Sequence, residues 1–278
     1  MSNHQNNAEI VLALDIGGTF IKSALFRSGE LVHRLEPVPS RSEGNREAIA
    51  AAFRQVIRQA GKFDHLAVAV PGPFDYEHGI FRMPHKFAAV NGRPFAELSG
   101  REAACFLHDA NAFLLGEMTH GAARGFSRCG GITLGTGLGA AFASGGEIRT
   151  GCDGSPAPEV KLWNRPFRGK IAEDFISARA LLARFPAGNV REIAERAKAG
   201  DPAAKQLWLE YGAALFELLS QWQEQLSPEV IVIGGGIGRD LALFGALPAG
   251  LPLRKAELGE DAALYGAYES FLKGGLLR

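Results

Sequence analysis

The residues best suited to chemistry in this sequence stand in glycine turns. Asp15-Ile16-Gly17-Gly18-Thr19, followed closely by Lys22, closes an apolar run, EIVLALDI, from Glu9 to Ile16. A phosphate chain needs backbone N–H donors at close range, and only residues without a bulky Cβ let the main chain approach it and turn sharply. This turn offers both, with the Thr19 hydroxyl and the Lys22 ammonium at hand. Asp15, at the carboxyl end of a buried strand, suits a Mg²⁺ held through water, because magnesium keeps much of its hydration shell. A type I′ or II′ hairpin that merely wants glycine is the plainer alternative. A second turn, Gly135-Thr136-Gly137-Leu138-Gly139, repeats the pattern. Two such cradles in two halves of one chain suit a triphosphate gripped from both sides, with the cleft between lobes as the active site.

Rival glycine motifs fail on context. The sequence contains no GxxxxGK[ST], which excludes a P-loop. Gly135 to Ala140 loosely satisfies GxGxx(G/A), but AAFASGGE reads on as strand and hairpin where a dinucleotide fold needs a helix. Gly234-Gly235-Gly236-Ile237-Gly238 follows a strand, and Arg239 stands where that fingerprint wants its last glycine.

The elements that must position these turns follow from hydrophobic period. EIVLALDI is a buried strand, Ile21 to Phe26 returns from it, and Ser28-Gly29-Glu30 turns the chain into a third strand, LVHRLEPV. Asn45 to Ala60 spaces Ile49, Ala52, Phe53, Val56 and Ile57 as an amphipathic helix. HLAVAVPGP and ACFLHDA are two further buried strands. Ile132 to Leu134, the second glycine turn, Ala140 to Ala143 and the hairpin signal Ser144-Gly145-Gly146-Glu147 then repeat the opening order, the mark of an internal duplication. Leu207, Tyr211, Leu215, Leu218, Leu219 and Trp222 mark the core face of a long helix, Glu229 to Ile233 is one more buried strand, and a last helix covers roughly Ala262 to Leu272. The expected organisation is a first lobe over 9–112, joined by the closing segment 263–278, and a second lobe over 113–262.

Bulk composition narrows the partners. Thirty Lys+Arg against thirty Asp+Glu give a net charge of +0 over 278 residues, so no global field favours nucleic acid or an anionic membrane. Cys105, Cys129 and Cys152 are odd in number, widely spaced and without a CxxC, which argues against a disulfide framework and for a reducing, cytoplasmic location. MSNHQNNAE has no signal-peptide pattern, and no apolar run is long enough to span a bilayer.

Taken in order, DIGGTFIK (Asp15 to Lys22), VPGP (Val70 to Pro73), HDANAFLLGE (His108 to Glu117), ITLGTGLGAAF (Ile132 to Phe142), VIVIGGGI (Val230 to Ile237) and ALYGAY (Ala263 to Tyr268) resemble the ROK family of bacterial sugar kinases and sugar-responsive repressors. The resemblance implies an α/β fold, the two-lobed actin-like ATPase (ribonuclease H-like) duplication with an interlobe active-site cleft. It also implies ATP and Mg²⁺ as donor and metal, phosphorylation of a hexose or N-acylhexosamine, and a homodimer. It makes Asp109 the catalytic base, a role that suits a carboxylate at a strand end, which can orient a sugar hydroxyl and accept its proton. A helix cap for ANAFLLGEM is the competing role for an aspartate there. By the same resemblance Gly72, Asn91 and His108 lie near the hexose. Glu159, in GCDGSPAPEV where the family has GxxGExGH, and Glu173 accept hydrogen bonds from sugar hydroxyls, and Gly234 to Gly236 face the adenosine.

The sequence also departs from the family pattern. Leu162 stands where a zinc histidine is common, KLWNRPFRGKIAED contains no cysteine, and Cys152 is isolated, so no structural zinc is expected. His108 replaces a common asparagine; it either assists proton transfer or is a packed, hydrogen-bonded histidine. His85 and Lys86 are either a polar wall of the pocket or solvent-exposed loop residues. Only MSNHQNNA precedes the first strand, which leaves a repressor without its DNA-binding helices. A catalytically silent sugar sensor and a kinase using polyphosphate are the alternatives.

Overall fold

The computed structural model describes residues 9–274. The segment MSNHQNNA and residues 275–278 of the expected closing segment lie outside them. Two compact units divide the chain: one runs to Gly116 and takes in Thr150–Ser155 and the segment from Asp261, the other comprises Glu117–Arg149 and Pro156–Glu260.

In the first unit β1 (Ile10–Ile16) is central and almost wholly buried, as a continuous apolar run requires. β2 (Phe20–Arg27) returns antiparallel to it, with Asp15 opposite Lys22. β3 (Glu30–Arg34) follows on β2. The expected single strand LVHRLEPV is in fact split. Pro37 has no N–H to give a ladder, so β3 ends at Arg34 and β4 (Val38–Pro39) pairs separately with β2. α1 (Arg46–Ala60) starts at Asn45, whose Oδ1 accepts the Ala48 N–H at 2.9 Å, and it buries Ile49, Ala52, Phe53 and Val56. β5 (His65–Val70) runs parallel to β1. The hairpin β6 (Phe74–Asp75) and β7 (Ile80–Phe81) and the short α2 (Phe95–Ser99) cover an aromatic core in which Phe53 stacks on Phe81 and Phe87. β8 (Cys105–His108) adds parallel to β5 and runs directly into α3 (Asp109–His120), giving the order β3-β2-β1-β5-β8.

The second unit has its own apolar core. β9 (Arg128–Leu134), β10 (Leu138–Ser144) and β11 (Glu147–Ile148) form an antiparallel meander. After the small hairpin β12 (Pro166–Phe167) and β13 (Lys170–Ile171) come α4 (Ala178–Leu182) and α5 (Val190–Lys198). α6 (Pro202–Leu226) begins with Asp201 as cap and proline in its first turn, and it buries the expected stripe from Leu207 to Trp222. β14 (Val230–Gly234) pairs parallel with β9, α7 (Gly235–Gly238) is a single turn, and β15 (Leu253–Lys255) closes the order β11-β10-β9-β14-β15. Strand order and polarity match those of the first unit, as the internal duplication requires. α8 (Ala262–Leu272) packs on β1, β5 and β8 and also on β2, where Tyr268 stacks on Phe26 at 4.6 Å and accepts the Gly29 N–H at 2.8 Å.

Candidate active site

Three parallel strands of the first unit, β1, β5 and β8, deliver their carboxyl ends to one edge of the sheet, where open α/β sheets bind ligands. Asp15 is the penultimate residue of β1, Gly72 follows β5, and His108-Asp109 join β8 to α3. At the first glycine turn Gly17 N–H donates to the Phe20 carbonyl at 2.9 Å. A Cβ on Gly17 would stand 2.9 Å from that same oxygen, so the turn closes only around glycine. Thr19 is exposed beyond it. Burial pushes the Asp15 carboxyl up to about 6, partly offset by Lys22 and reinforced by the negative charge of Asp109.

Asp109 is the first residue of α3, and its Oδ1 accepts the N–H of the adjacent Ala110 at 2.8 Å rather than an N–H two or three residues on, as a helix cap would. Its oxygen lies 2.9 Å from His108 Nδ1, with the aspartate side chain 39% exposed and the histidine 18%. His108 Nδ1 also lies 3.2 Å from the Ala110 nitrogen, and Nε2 faces Gly72, on which a Cβ would stand 3.6 Å away. Partial burial would lift the Asp109 carboxyl, but the charge and hydrogen bond of His108, the Ala110 N–H and the Lys86 ammonium together hold it below the usual aspartate range. His108 is therefore a packed, hydrogen-bonded histidine tied to Asp109.

Sequence reasoning passed over Tyr76. Its hydroxyl donates to the Val70 carbonyl at 3.2 Å, its ring lies 6.0 Å from that of His108, and burial, then Asp109 and Asp153, push its phenol well up. Tyr76 also walls a cavity of about 460 Å³ whose lining includes Pro73, Arg82, Cys152 and Asp153, a volume that fits a small ligand. The only hint in the sequence was an aromatic just past the Gly72-Pro73 turn. Asn91 ends the short turn Ala88–Val90 with its side chain exposed.

In the second unit Gly135 N–H donates to Gly137 O at 3.1 Å, and Ala178 N–H, at the start of α4, donates to Gly135 O at 2.9 Å. Thr136 is exposed at the tip. Glu173 lies against this turn: its Oε2 accepts the Leu138 N–H at 3.2 Å, and a Cβ on Gly137 would stand 2.7 Å from it. Gly234 ends β14, and Gly235 and Gly236 open α7 with their main chain exposed. Glu159 is exposed, and its main-chain oxygen accepts from Arg165. Leu162 is buried in the apolar core of this unit. Among the described residues no group of three or more His, Cys, Asp or Glu is arranged to hold a metal, the three cysteines are free, and no helix is long and apolar enough to cross a membrane.

A duplicated sheet with these turns defines a class, and comparison with known proteins agrees. The ROK family model matches residues 11–268, and the chain belongs to the ROK family. It is similar to the bifunctional enzyme NanE/NanK of Brucella melitensis biotype 1, with 29% identity over 279 residues that cover 92% of this chain and 52% of that one. The chain thus spans about half the length of the Brucella relative. It is also similar to a glucokinase of Thermotoga maritima, 28% identical over 271 residues and covering 85% of each chain. Among solved structures a ROK family glucokinase from Streptomyces griseus, in complex with glucose and AMPPNP, gives a TM-score of 0.77 at 22% identity over 94% of this chain and 98% of that one. The fold is that of the actin-like ATPases.

Proposed function

We propose that the chain is an ATP-dependent sugar kinase, transferring the γ-phosphoryl group of ATP to a hydroxyl of a hexose or N-acylhexosamine. The observation that carries this proposal is the pairing of an ionised, partly exposed carboxylate, Asp109, with a glycine turn and a second carboxylate, Asp15, at the same sheet edge. Relatives named as a glucokinase and as a bifunctional enzyme NanE/NanK support it.

Asp109 orients the acceptor hydroxyl and takes its proton as the O–P bond forms. A base of low pKa serves here because phosphoryl transfer is loose, and little charge builds on the attacking oxygen before the phosphoryl group departs from ADP. His108, whose Nδ1 lies 2.9 Å from the carboxylate, positions it and leaves its other oxygen for the acceptor. Main-chain donors at Gly17 and Gly18, the Thr19 hydroxyl and Lys22 bind phosphate, as do Gly135, Thr136 and Gly137; Gly234 to Gly236 lie against the adenosine. Gly72, Asn91, Glu159 and Glu173 bind the sugar. For Glu173, bound to the Leu138 N–H, that role competes with support of the second glycine turn. Mg²⁺ suits Asp15, a partly exposed carboxylate whose raised pKa a cation would lower, and when bound it neutralises phosphate charge. We place the reaction in the cytoplasm, with a neutral sugar rather than nucleic acid as partner.

ADP release from Mg·ATP across a panel of hexoses and N-acylhexosamines tests this directly. Turnover with at least one sugar is expected. Sugar binding without turnover would make the chain a sensor, and transfer from polyphosphate alone would overturn the donor.

A further inference from the structure

The loop between β7 and α2 carries a cation whose position is fixed more closely than its exposure suggests. A methyl group on Gly18 would stand 3.1 Å from each of Cδ, Cε and Nζ of Lys86, so the stem and ammonium lie along the first glycine turn. The neighbouring residue, Phe87, is fully buried and donates its N–H to the Ser42 carbonyl at 2.7 Å. Ser42 is itself buried, and its hydroxyl donates to the Gly18 carbonyl at 2.5 Å. One serine therefore ties the main chain beside Lys86 to the turn over which Lys86 lies. The Lys86 charge also reaches Asp109 and helps to hold its carboxyl low. Lys22 interacts instead with Asp15, its partner across the β1–β2 ladder.

We propose that Lys86 is a catalytic residue whose ammonium contacts the transferring γ-phosphoryl group, between the turn that holds the donor and the carboxylate that activates the acceptor. This rests on the kinase function above. In the step itself the acceptor oxygen loses its proton to Asp109 and bonds to the γ-phosphorus, while the bond from that phosphorus to the bridging oxygen breaks and its electron pair leaves with ADP. Lys86 exchanges no proton. Its charge is met by the equatorial phosphoryl oxygens, where charge is spread in the transition state. A lysine suits this place because an ammonium is a compact charge with three rotatable donors on a flexible stem.

Lys86→Met keeps the stem and removes the charge, and because the side chain is exposed the fold should be unaffected. The measurements are kcat and KM for the sugar, together with calorimetric affinities for Mg·ATP and Mg·ADP in wild type and variant. The expected result is a fall in kcat on the order of 10²–10³-fold, a sugar KM within about twofold, partial recovery in Lys86→Arg, and loss of the wild-type preference for ATP over ADP. Unchanged kcat with an unchanged ATP-to-ADP ratio would overturn the proposal, as would a raised sugar KM at wild-type kcat, which would make Lys86 a wall of the sugar pocket. If the wild-type protein turns over no sugar, the kinase function itself fails, and the ATP-to-ADP ratio alone then decides whether Lys86 meets the γ-phosphate.

Discussion

Asp15 and Asp109 are two carboxylates at one sheet edge whose surroundings push them in opposite directions, and such a divergence separates roles within a site. Asp109 stays ionised at neutral pH and can accept a proton, so Asp109→Asn, which keeps shape and loses the base, should lower kcat by roughly 10²–10⁴-fold. Sugar affinity measured by calorimetry should change little. Asp15 behaves differently. Its native carboxyl titrates at about 6 against an ordinary value of 3.8, so both states are protonated at lower pH and both are ionised above 6. Between those values the native state binds more protons, and stability falls as pH rises; above 6 the cost of the buried charge is constant. Asp15→Asn should therefore raise the melting temperature of the ligand-free protein by roughly 2–4 °C at pH 7.5 and leave it unchanged near pH 3.5, while abolishing turnover. Thermal scans at the two pH values check this, and equal shifts at both would contradict it. Asp15 stands out in the sequence as a carboxylate where an apolar run meets a glycine turn, whereas Asp109, which residue type alone would make a helix cap, stands out only through the family resemblance. For Lys86 the sequence left a polar wall of the pocket and an exposed loop both open, because its place depends on Ser42 and on a loop without period, and neither leaves a pattern in the chain.

At the scale of elements, the closing motif ALYGAY gains its meaning from a helix crossing. A Cβ on Gly266 of α8 would stand 1.8 Å from the Ala112 carbonyl of α3, and one on Gly116 of α3 would stand 2.0 Å from the Ala262 carbonyl. The two helices thus touch main chain to main chain at reciprocal glycines, and α8 locks the helix that begins with Asp109. Gly266→Val forces them apart. It should cost more than about 3 kcal/mol, seen as loss of soluble protein or a large drop in denaturation midpoint, and kcat should fall with it because Asp109 moves. The sequence marked the helix bounds and the glycine but not their partner, since nothing in ALYGAY names Ala112. Glu117 is a similar case. It is fully buried at the end of HDANAFLLGE, and it accepts backbone N–H groups from Ala122, Glu257 and Leu258 at 2.8, 3.2 and 3.0 Å. Its place in the motif series reflects loop anchoring rather than chemistry, and a Glu117→Ala substitution should destabilise the fold by several kcal/mol through the orphaned donors.

At the scale of the molecule, one strand order used twice gives two separate apolar cores. Two cores in one chain predict departure from two-state unfolding, with a calorimetric enthalpy above the van't Hoff value in ligand-free protein; equal enthalpies would contradict independent cores. The duplication was readable from the repeated strand, glycine turn and Ser-Gly hairpin. Harder to read was the return of Thr150–Ser155 to the first unit, where Asn111 holds the Gly154 carbonyl at 3.3 Å, because a side chain reaching across 43 positions has no local signature. The measurement that bears most directly on the whole is ³¹P NMR of the protein incubated with Mg·ATP and the sugar it binds. A phosphomonoester resonance of a sugar phosphate should grow in step with ADP in wild type and be lost in Asp109→Asn. Growth of inorganic phosphate alone, or a sugar phosphate formed equally well by the variant, would contradict Asp109 as the base of a sugar kinase.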